Sequence, residues 1–425
     1  MLGISKIIQK KVKAGAIQYV LVASVIIMIV LFSFVSLVTL QHRFELKLDL
    51  FKTAVFHANS AFDYINQKNV PYDQPIQINL SENKNEQTEL LKKHWGIFDL
   101  LIASAQMKNE RIVKVGLLGH QQEKRNALYL EETNKPLVVV GRTQIKGDVV
   151  LPKLGIKTGN IAGNAYYSDR LVYGRINRNA TELPKIHNTP AVERLLKENP
   201  SGAEFFELDQ GMNRFQSFTN KTLIFETNQP LFLSEIQLAG NILIRSSQKI
   251  IVEPTALLED VILIAPEVEV KSFVQGTFQV LASENIELKE NVTLSYPSSL
   301  ILISENEDIS PYNNPSDQKR GIQIREKANV KGSVVYISKS FKEDNKAQVF
   351  IDKDALIKGE VYCNKNLELR GLVQGSVYTK NFVTREYGGI YINHLFNGSI
   401  DSTVLPDQYA GVFIGSKNKV AKFLE

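Results

Sequence analysis

The chain has 425 residues, of which 44% are hydrophobic and 22% charged, close to the average of globular proteins. This composition excludes a largely disordered chain, a collagen-like chain and a polytopic membrane protein. The net charge is +5, but residues 1–41 contain four lysines and no acid. The remaining residues carry 46 bases against 45 acids, so a basic surface of the kind that binds nucleic acid is not expected.

One long apolar run lies near the N-terminus. Residues 14–41 carry no charge, and residues 16–40 are long enough to cross a hydrocarbon layer of ~30 Å at about 1.5 Å per residue. We interpret residues 16–41 as a transmembrane helix after a basic cytoplasmic tail, residues 1–15. The lysines of the tail place the N-terminus in the cytoplasm and the bulk of the chain in the periplasm or outside the cell. A signal anchor is favoured over a cleaved signal peptide, whose apolar run is shorter.

A helical stalk is predicted for residues 42–67, so that one helix runs from about residue 16 to residue 66. Its apolar residues are separated alternately by four and three positions and form a seam: Phe44, Leu48, Phe51, Val55, Ala58, Phe62 and Ile65. This spacing is typical of a helix that buries one stripe. The seam packs either on the outer domain of the same chain, which is favoured, or against partner helices.

A basic leader that ends in Lys13, Ala14 and Gly15, followed by an apolar helix that continues into an amphipathic one, resembles the start of type IV pilins and pseudopilins. The resemblance implies cleavage between Gly15 and Ala16 and bundling of the mature helix in a filament. Members of this family carry a glutamate at the fifth mature position, where this chain has Val20. Some pilin-like subunits that cap filaments also lack that glutamate. A plain signal anchor is the alternative.

Residues 68–137 differ from the rest of the chain in sequence pattern and are predicted to form a small α+β module. A helix is expected at about residues 86–95. Two strands are expected at residues 97–105 and 111–118, with a polar turn between them.

A five-residue unit, aliphatic-x-Gly-x-apolar, recurs eight times in the remaining chain. The copies are IKGDV (145–149), IAGNA (161–165), LAGNI (238–242), VQGTF (274–278), VKGSV (330–334), IKGEV (357–361), VQGSV (373–377) and FNGSI (396–400). Alternation places Val330, Gly332 and Val334 on the inward side of a strand and Lys331 and Ser333 on the outward side. The outward positions are nearly all polar.

The spacing of these glycines is typical of a parallel β-helix. We therefore predict a mainly β protein with a right-handed parallel β-helix after the long helix and the small module. Its first coils and an inserted helix occupy residues 138–235, the main β-helix residues 236–400, and a C-terminal cap or tail residues 401–425. The inserted helix is expected at residues 190–198, with Thr189 as its N-cap.

The alternation of aliphatic residues around glycine over residues 235–400 also resembles bactofilins, which are bacterial polymer-forming β-helix proteins. The resemblance implies a parallel β-helix. Bactofilins have a short, nearly uninterrupted solenoid that usually faces the cytoplasm, whereas this chain has polar insertions and an outside topology.

No catalytic, cofactor-binding or metal-binding motif is found. The six histidines contain no metal-spaced pair, and no phosphate loop or GxSxG motif occurs. Tyr362 and Tyr378 occupy the same outward position on successive coils. They either stack on each other along the solenoid, which is favoured, or form an aromatic ladder for a sugar ring. The single cysteine, Cys363, is expected to be a buried hydrophobic residue.

These features predict a non-enzymatic, membrane-anchored structural or assembly component of the cell envelope. Its expected partners are the membrane and other envelope or filament subunits that contact the N-terminal helix, and no cofactor is expected. A pilin-like subunit of a secretion or surface-filament machine is the more specific hypothesis. The alternative is a carbohydrate-binding or polysaccharide-cleaving β-helix protein.

Overall fold

The computed structural model describes residues 14–80, 86–305, 320–340, 342–412 and 417–424. The described part of the chain is mainly β, as predicted, with two α-helices, α1 (Ala14–Tyr64) and α2 (Thr189–Lys197). Most of the predicted basic tail, up to residue 13, lies outside the described residues.

Helix α1 is continuous, as the sequence predicts, and it has two different environments. Residues 16–49 are exposed, whereas Ala54, Ala58 and Ala61 are fully buried. The apolar N-terminal part is long enough to span a membrane, and its most apolar window has a mean hydropathy of 2.9. The alanines are small, so the C-terminal part of α1 approaches the rest of the chain closely.

An antiparallel sheet receives the buried part of α1. Its first strands are β1 (Ile76–Ile78), β2 (Glu86–Trp95), β3 (Phe98–Met107) and β4 (Glu110–Gln121), which pair in this order. Ala58 packs with Ala105 and Met107, while Phe62 packs with Leu101. Because α1 covers one face of this sheet, the opposite face is free to pack on the parallel strands described below.

The prediction of a helix at residues 86–95 is wrong, because this segment is strand β2. Glu, Lys and Leu favour a helix, but Thr88, Leu90 and Lys92 alternate with exposed or half-buried residues and are themselves buried. Strand β2 pairs with β3 over its whole length and with β1 on its other edge. Tertiary pairing therefore outweighs local helix propensity.

The larger domain is built on parallel strands in a sheet that closes on itself. Its strands are β5 (Asn126–Leu130), β7 (Gln144–Lys146), β8 (Asp148–Val150), β12 (Ile176–Asn177), β13 (Glu204–Phe205), β14 (Asn213–Gln216), β15 (Leu223–Thr227), β16 (Leu231–Leu233), β17 (Gln237–Gly240), β18 (Ile242–Ser246), β19 (Lys249–Val252), β20 (Leu257–Val270), β21 (Gln275–Leu288), β22 (Thr293–Ser304), β23 (Gly321–Ile324), β24 (Asn329–Ser338), β25 (Val349–Ile351), β26 (Leu356–Leu369), β27 (Leu372–Glu386), β28 (Gly389–Ile392) and β30 (Ser399–Asp401). Of these, β28 is antiparallel to β27. Smaller sheets contain β6 (Leu137–Val140), β9 (Ile156–Thr158) and β29 (His394–Phe396), which are parallel, and β10 (Asn160–Ile161) and β11 (Asn164–Ala165), which are antiparallel.

Successive parallel strands stack in register. Val334 lies beside Val361, and Val361 lies beside Val377. The first parallel strands of the chain, β5 and β7, extend the C-terminal end of this stack. Val377 of β27 pairs with Leu128 of β5, and β30, which neighbours β27, pairs with β7. The chain therefore contributes its early strands to the end of the stack where its late strands lie.

Five of the eight predicted repeat units lie in register along the stack, at residues 145–149, 238–242, 330–334, 357–361 and 373–377. Their glycines all have positive φ, between 90° and 153°. A Cβ at Gly359 would collide with the carbonyl oxygen of Gly332 on the preceding strand. Glycine is therefore required where the chain bends this close to its neighbour.

The unit at residues 161–165 is not a rung of the parallel stack, contrary to the prediction. It forms the hairpin of β10 and β11, in which Ala162 and Gly163 both have positive φ. The Asn160 side chain accepts a hydrogen bond from Gly163 N at 2.9 Å and holds this turn.

The parallel domain is apolar on both sides of its strands. The inward side forms the largest core, which contains Val330, Val361 and Cys363, as the alternation predicts. Part of the outward side forms a second core with the antiparallel sheet and helix α2, and this core includes Trp95 and Val192. Helix α2 confirms the predicted inserted helix, although its N-cap is Asn188 rather than Thr189.

The C-terminal segment joins the two domains. Strand β31 (Lys417–Leu424) pairs antiparallel with β4 and completes a five-stranded sheet. Lys422 also bonds to the carboxylates of Glu259 and Asp260 on the parallel domain, at 2.9 and 2.8 Å. Part of the predicted cap or tail is therefore an integral strand of the antiparallel sheet.

Candidate functional site

The predicted seam of α1 divides into two parts. Phe44, Leu48 and Phe51 are 70%, 44% and 44% exposed, whereas Phe62 and Ile65 are 7% and 6% exposed. The second part packs on the antiparallel sheet of the same chain, which is the alternative favoured from the sequence. The first part presents large apolar side chains that the described residues do not cover.

Gly15 and Ala16, at the predicted processing site, lie in the first turn of α1. Apart from its chain neighbours and the backbone of α1, no described atom lies within 4 Å of the position that a Cβ on Gly15 would take, and Ala16 is exposed. The described residues therefore leave the bond between them open to a peptidase, and its processing stays a prediction.

Tyr362 and Tyr378 lie side by side on β26 and β27, as the repeat predicts. They are only 7% and 4% exposed, because they belong to the second core together with Trp95 and Phe98. The ring of Tyr129 stacks on that of Tyr378 at 6.1 Å between centroids. The hypothesis that the pair forms a ladder open to a sugar ring is therefore wrong, since the antiparallel sheet covers this face.

A buried polar cluster lies where the end of the β2–β3 hairpin meets the segment before α2. We call it the Asp99 cluster, and its members are Tyr72, Lys92, His94, Asp99, His120, His187 and Asn188. Asp99 is 2% exposed, and its Oδ2 lies 2.9 Å from Lys92 Nζ. Asn188 Nδ2 donates to Asp99 Oδ1 at 2.8 Å, and the Tyr72 hydroxyl donates to the same carboxylate at 3.0 Å.

Three of the six histidines surround this carboxylate. His94 stacks on the Tyr72 ring at 3.9 Å between centroids, with its Nδ1 3.4 Å from Asp99 Oδ1. His187 Nε2 lies 3.3 Å from the Tyr72 hydroxyl, and the His120 ring lies 5.0 Å from the His187 ring. The cluster therefore connects β2, β3 and β4 with the segment that leads into α2.

Burial and the neighbouring side chains of the Asp99 cluster shift the pKa values of its members. Burial alone would raise the pKa of Asp99, but the polar contacts with His94 and Lys92 and the positive charge of Lys92 hold that pKa well below its usual range. Burial and the negative charge of Asp99 raise the pKa of Tyr72. Burial, reinforced by His187, lowers the pKa of His120 to about 4. Asp99 is thus a carboxylate and Tyr72 a neutral hydroxyl near neutral pH.

No sequence pattern indicates this cluster, because its members come from five separate segments of the chain and no spacing relates them. One feature of the structure marks the cluster locally: Asn188 stands at the N-cap of α2, yet its side chain makes no capping hydrogen bond. An N-cap asparagine normally accepts from the first turn of its helix. Here its amide instead donates to Asp99 and to the Ile97 carbonyl oxygen, at 2.8 and 2.9 Å.

A second buried carboxylate, Glu360, lies under residues 405–412, which we call the C-terminal strap. Glu360 is 1% exposed, and its Oε2 accepts a hydrogen bond from Val412 N at 2.8 Å. The Tyr409 hydroxyl donates to the Gly332 carbonyl oxygen at 3.2 Å. Burial raises the pKa of Glu360 to about 7, although the Val412 hydrogen bond and the charge of Arg125 oppose this shift.

Within the described part of the chain, no group of three His, Cys, Asp or Glu side chains is arranged to hold a metal ion. Comparisons with protein-family models, with curated proteins and with solved structures give no match to this chain. Its function is therefore inferred from its own residues and contacts.

Proposed function

We propose that the protein is a membrane-anchored, non-enzymatic structural or assembly component of the cell envelope. The observation that carries this proposal is the division of α1, whose residues 16–49 are exposed while Ala54, Ala58 and Ala61 are fully buried on the antiparallel sheet. An apolar helix of this length that leaves its own domain requires either lipid or other helices around it. The outer domain would then be held at a fixed position above the membrane.

Within this class, a pilin-like subunit is the more specific proposal. The support is an N-terminal helix that is apolar and free along its first part and packs along its last part on an antiparallel sheet of the same chain. The exposed side chains of Phe44, Leu48 and Phe51 continue the apolar surface beyond the membrane segment, where neighbouring helices of a filament would contact it. Because Val20 replaces the glutamate typical of pilins, a capping position in such a filament is favoured.

The outer domain, in this proposal, is a right-handed parallel β-helix that serves as a platform. The in-register stacking of five glycine-centred units supports it, as does a continuous inward core. The cores on both sides of the strands would make the platform stiff, because close-packed interiors resist deformation.

N-terminal sequencing of the protein recovered from membranes tests the pilin-like proposal. We expect the mature chain to begin at Ala16, because the Gly15–Ala16 bond is accessible. A chain that begins at or near Met1 would contradict processing and leave a plain signal anchor. Alkaline extraction tests the broader class: the full chain should remain in the membrane pellet, while a chain lacking residues 1–41 should be released. Release of the full chain would contradict membrane anchoring.

The carbohydrate alternative loses its sequence support, because Tyr362 and Tyr378 are buried. A cleft of about 630 Å³ lies elsewhere, where β7, β26, β27 and β30 stack. Its basic and acidic side chains neutralise each other, as Lys146 Nζ lies 3.6 Å from Asp401 Oδ2. This cleft therefore gives no preference for an acidic polysaccharide, and we do not propose a glycan ligand.

A further inference from the structure

Three side chains at the centre of the Asp99 cluster have an arrangement that a simple ion pair does not need. Lys92, Asp99 and Asn188 are 7%, 2% and 5% exposed, so all three are shielded from water. One oxygen of the Asp99 carboxylate contacts the Lys92 amine at 2.9 Å, and the other contacts the Asn188 amide nitrogen at 2.8 Å. A single carboxylate thus bridges an amine and a primary carboxamide.

This bridge brings together the three groups that transfer of an acyl group from asparagine to lysine requires: an amine, a carboxamide and a carboxylate between them. The amine is the nucleophile, the Asn188 Cγ is the electrophile, and the amide nitrogen is the leaving group. A carboxylate in contact with both nitrogens can take a proton from the first and give it to the second, which is general acid–base catalysis by one group. The groups are held together by the fold, so the reaction is intramolecular and has a high effective concentration.

We propose that Lys92 and Asn188 become joined by an isopeptide bond, with Asp99 as the proton shuttle. Asp99 first takes a proton from the Lys92 ammonium, and the neutral Nζ attacks Asn188 Cγ. The bond between Nζ and Cγ forms, the Cγ–Nδ2 bond breaks, and Nδ2 leaves as ammonium after receiving, through Asp99, the two protons released by Nζ. No oxidant, reductant or cofactor is consumed, and the carboxylate of Asp99 is regenerated.

The surroundings of the triad set the rate of this reaction. Lys92 Nζ also lies 4.2 Å from the centroid of the Tyr72 ring, which fixes the amine against the carboxylate. The same environment holds the pKa of Asp99 low, so moving a proton from Lys92 to Asp99 is unfavourable and the reaction is expected to be slow. A slow reaction suffices, because it occurs once in the life of the chain.

The bond would connect strand β2 of the antiparallel sheet with the start of α2 on the parallel domain. These domains otherwise join through apolar contacts, hydrogen bonds and chain connections. A covalent link at this place would keep the helix-bearing sheet and the outer domain together under load. The inference does not depend on the pilin-like proposal, since it rests on the triad alone.

Peptide mapping by mass spectrometry of the full chain, purified in detergent from membranes, tests the proposal directly. We expect a branched peptide that joins the segment containing residue 92 to the segment containing residue 188, with the summed mass of both lowered by one ammonia. The variants Lys92→Arg, which keeps the positive charge, and Asp99→Asn, which removes the shuttle, should yield only the two linear peptides.

The wild-type map decides the question even where a variant fails to fold. Linear peptides alone from the folded wild-type chain would overturn the proposal and leave a structural ion pair. A link from Lys92 to Asp99, with loss of one water, would also overturn it. Lys422 is an internal control, because the side chains bonded to its Nζ are the carboxylates of Glu259 and Asp260. A branch at Lys422 would indicate non-specific condensation and would likewise contradict the proposal.

Discussion

The carboxylate of Glu360 is buried on strand β26 and accepts a hydrogen bond from Val412 N in the C-terminal strap. Alternation correctly places it on the outward side of its strand, beside Ser333 and Ser376. All three are buried, with exposures of 1%, 0% and 0%, in a region that the C-terminal strap approaches. The outward polar positions of a repeat are therefore not all solvent positions, because a distant segment of the chain can lie over them.

Glu360 makes stability depend on pH. Its pKa is about 7 in the folded chain and 4.5 in the unfolded chain. Between these pH values the folded state holds a proton on Glu360 that the unfolded state has lost. The contribution of this protonation to the free energy of unfolding is therefore complete below pH 4.5 and is lost as pH rises through 7. We expect Glu360→Gln to be more stable than the wild type by roughly 3 kcal/mol at pH 8 and nearly equal to it at pH 4.5. Urea unfolding at both pH values measures this difference, and an equal effect at the two would contradict it.

Tyr362 gives a second test at the scale of a residue. Because its ring is buried in the second core, we expect Tyr362→Ala to lower the free energy of unfolding by about 3–5 kcal/mol. Tyr387→Ala is the matched control, since Tyr387 is 69% exposed and its loss should change stability by no more than about 0.5 kcal/mol. Equal effects in thermal or urea unfolding would show that Tyr362 is not buried.

Among the secondary-structure elements, α1 is one that a local sequence pattern predicts correctly and β2 is one that it does not. The apolar run and the seam of α1 predict one long helix because both depend only on local spacing. Strand β2 was predicted as a helix because EQTELLKKHW is rich in helix formers, while its partners β1 and β3 are what select the extended form. The pairing of β31 with β4 joins residues about 300 positions apart, and no local pattern indicates it.

The close contact of α1 with the antiparallel sheet can be tested by overpacking. Ala58 is fully buried against Ala105 and Met107, so Ala58→Leu should lower the free energy of unfolding by about 1–3 kcal/mol. Phe44→Ala, at a site 70% exposed, should leave the stability of the antiparallel sheet and of the parallel domain unchanged. Hydrogen exchange of the β3 amides measures both, and faster exchange in the Phe44 variant alone would contradict the division of α1.

At the scale of the whole molecule, the repeat predicts parallel strands but not the path between them. The glycine-centred units indicate stacking because each needs a neighbour close to its backbone. They do not indicate that β5 and β7 lie at the end of the stack beside β27 and β30. This arrangement requires the chain to cross the length of the domain after its first parallel strands, and no repeat unit encodes that crossing. The Asp99 cluster depends on that same crossing, because Asn188 lies on the crossing segment.

In the proposed function, the exposed part of α1 contacts other subunits while the outer domain is a platform. Site-specific photo-crosslinking in cells tests it most directly, with the probe at Phe44 and a control probe at Phe273. Phe273 is 66% exposed, similar to the 70% of Phe44, but it lies on the parallel domain. We expect the Phe44 probe to yield a discrete adduct with another membrane-anchored helical subunit and the Phe273 probe to yield none. Absence of an adduct at Phe44, or the same adduct at both positions, would contradict the proposal that the exposed part of α1 makes these contacts.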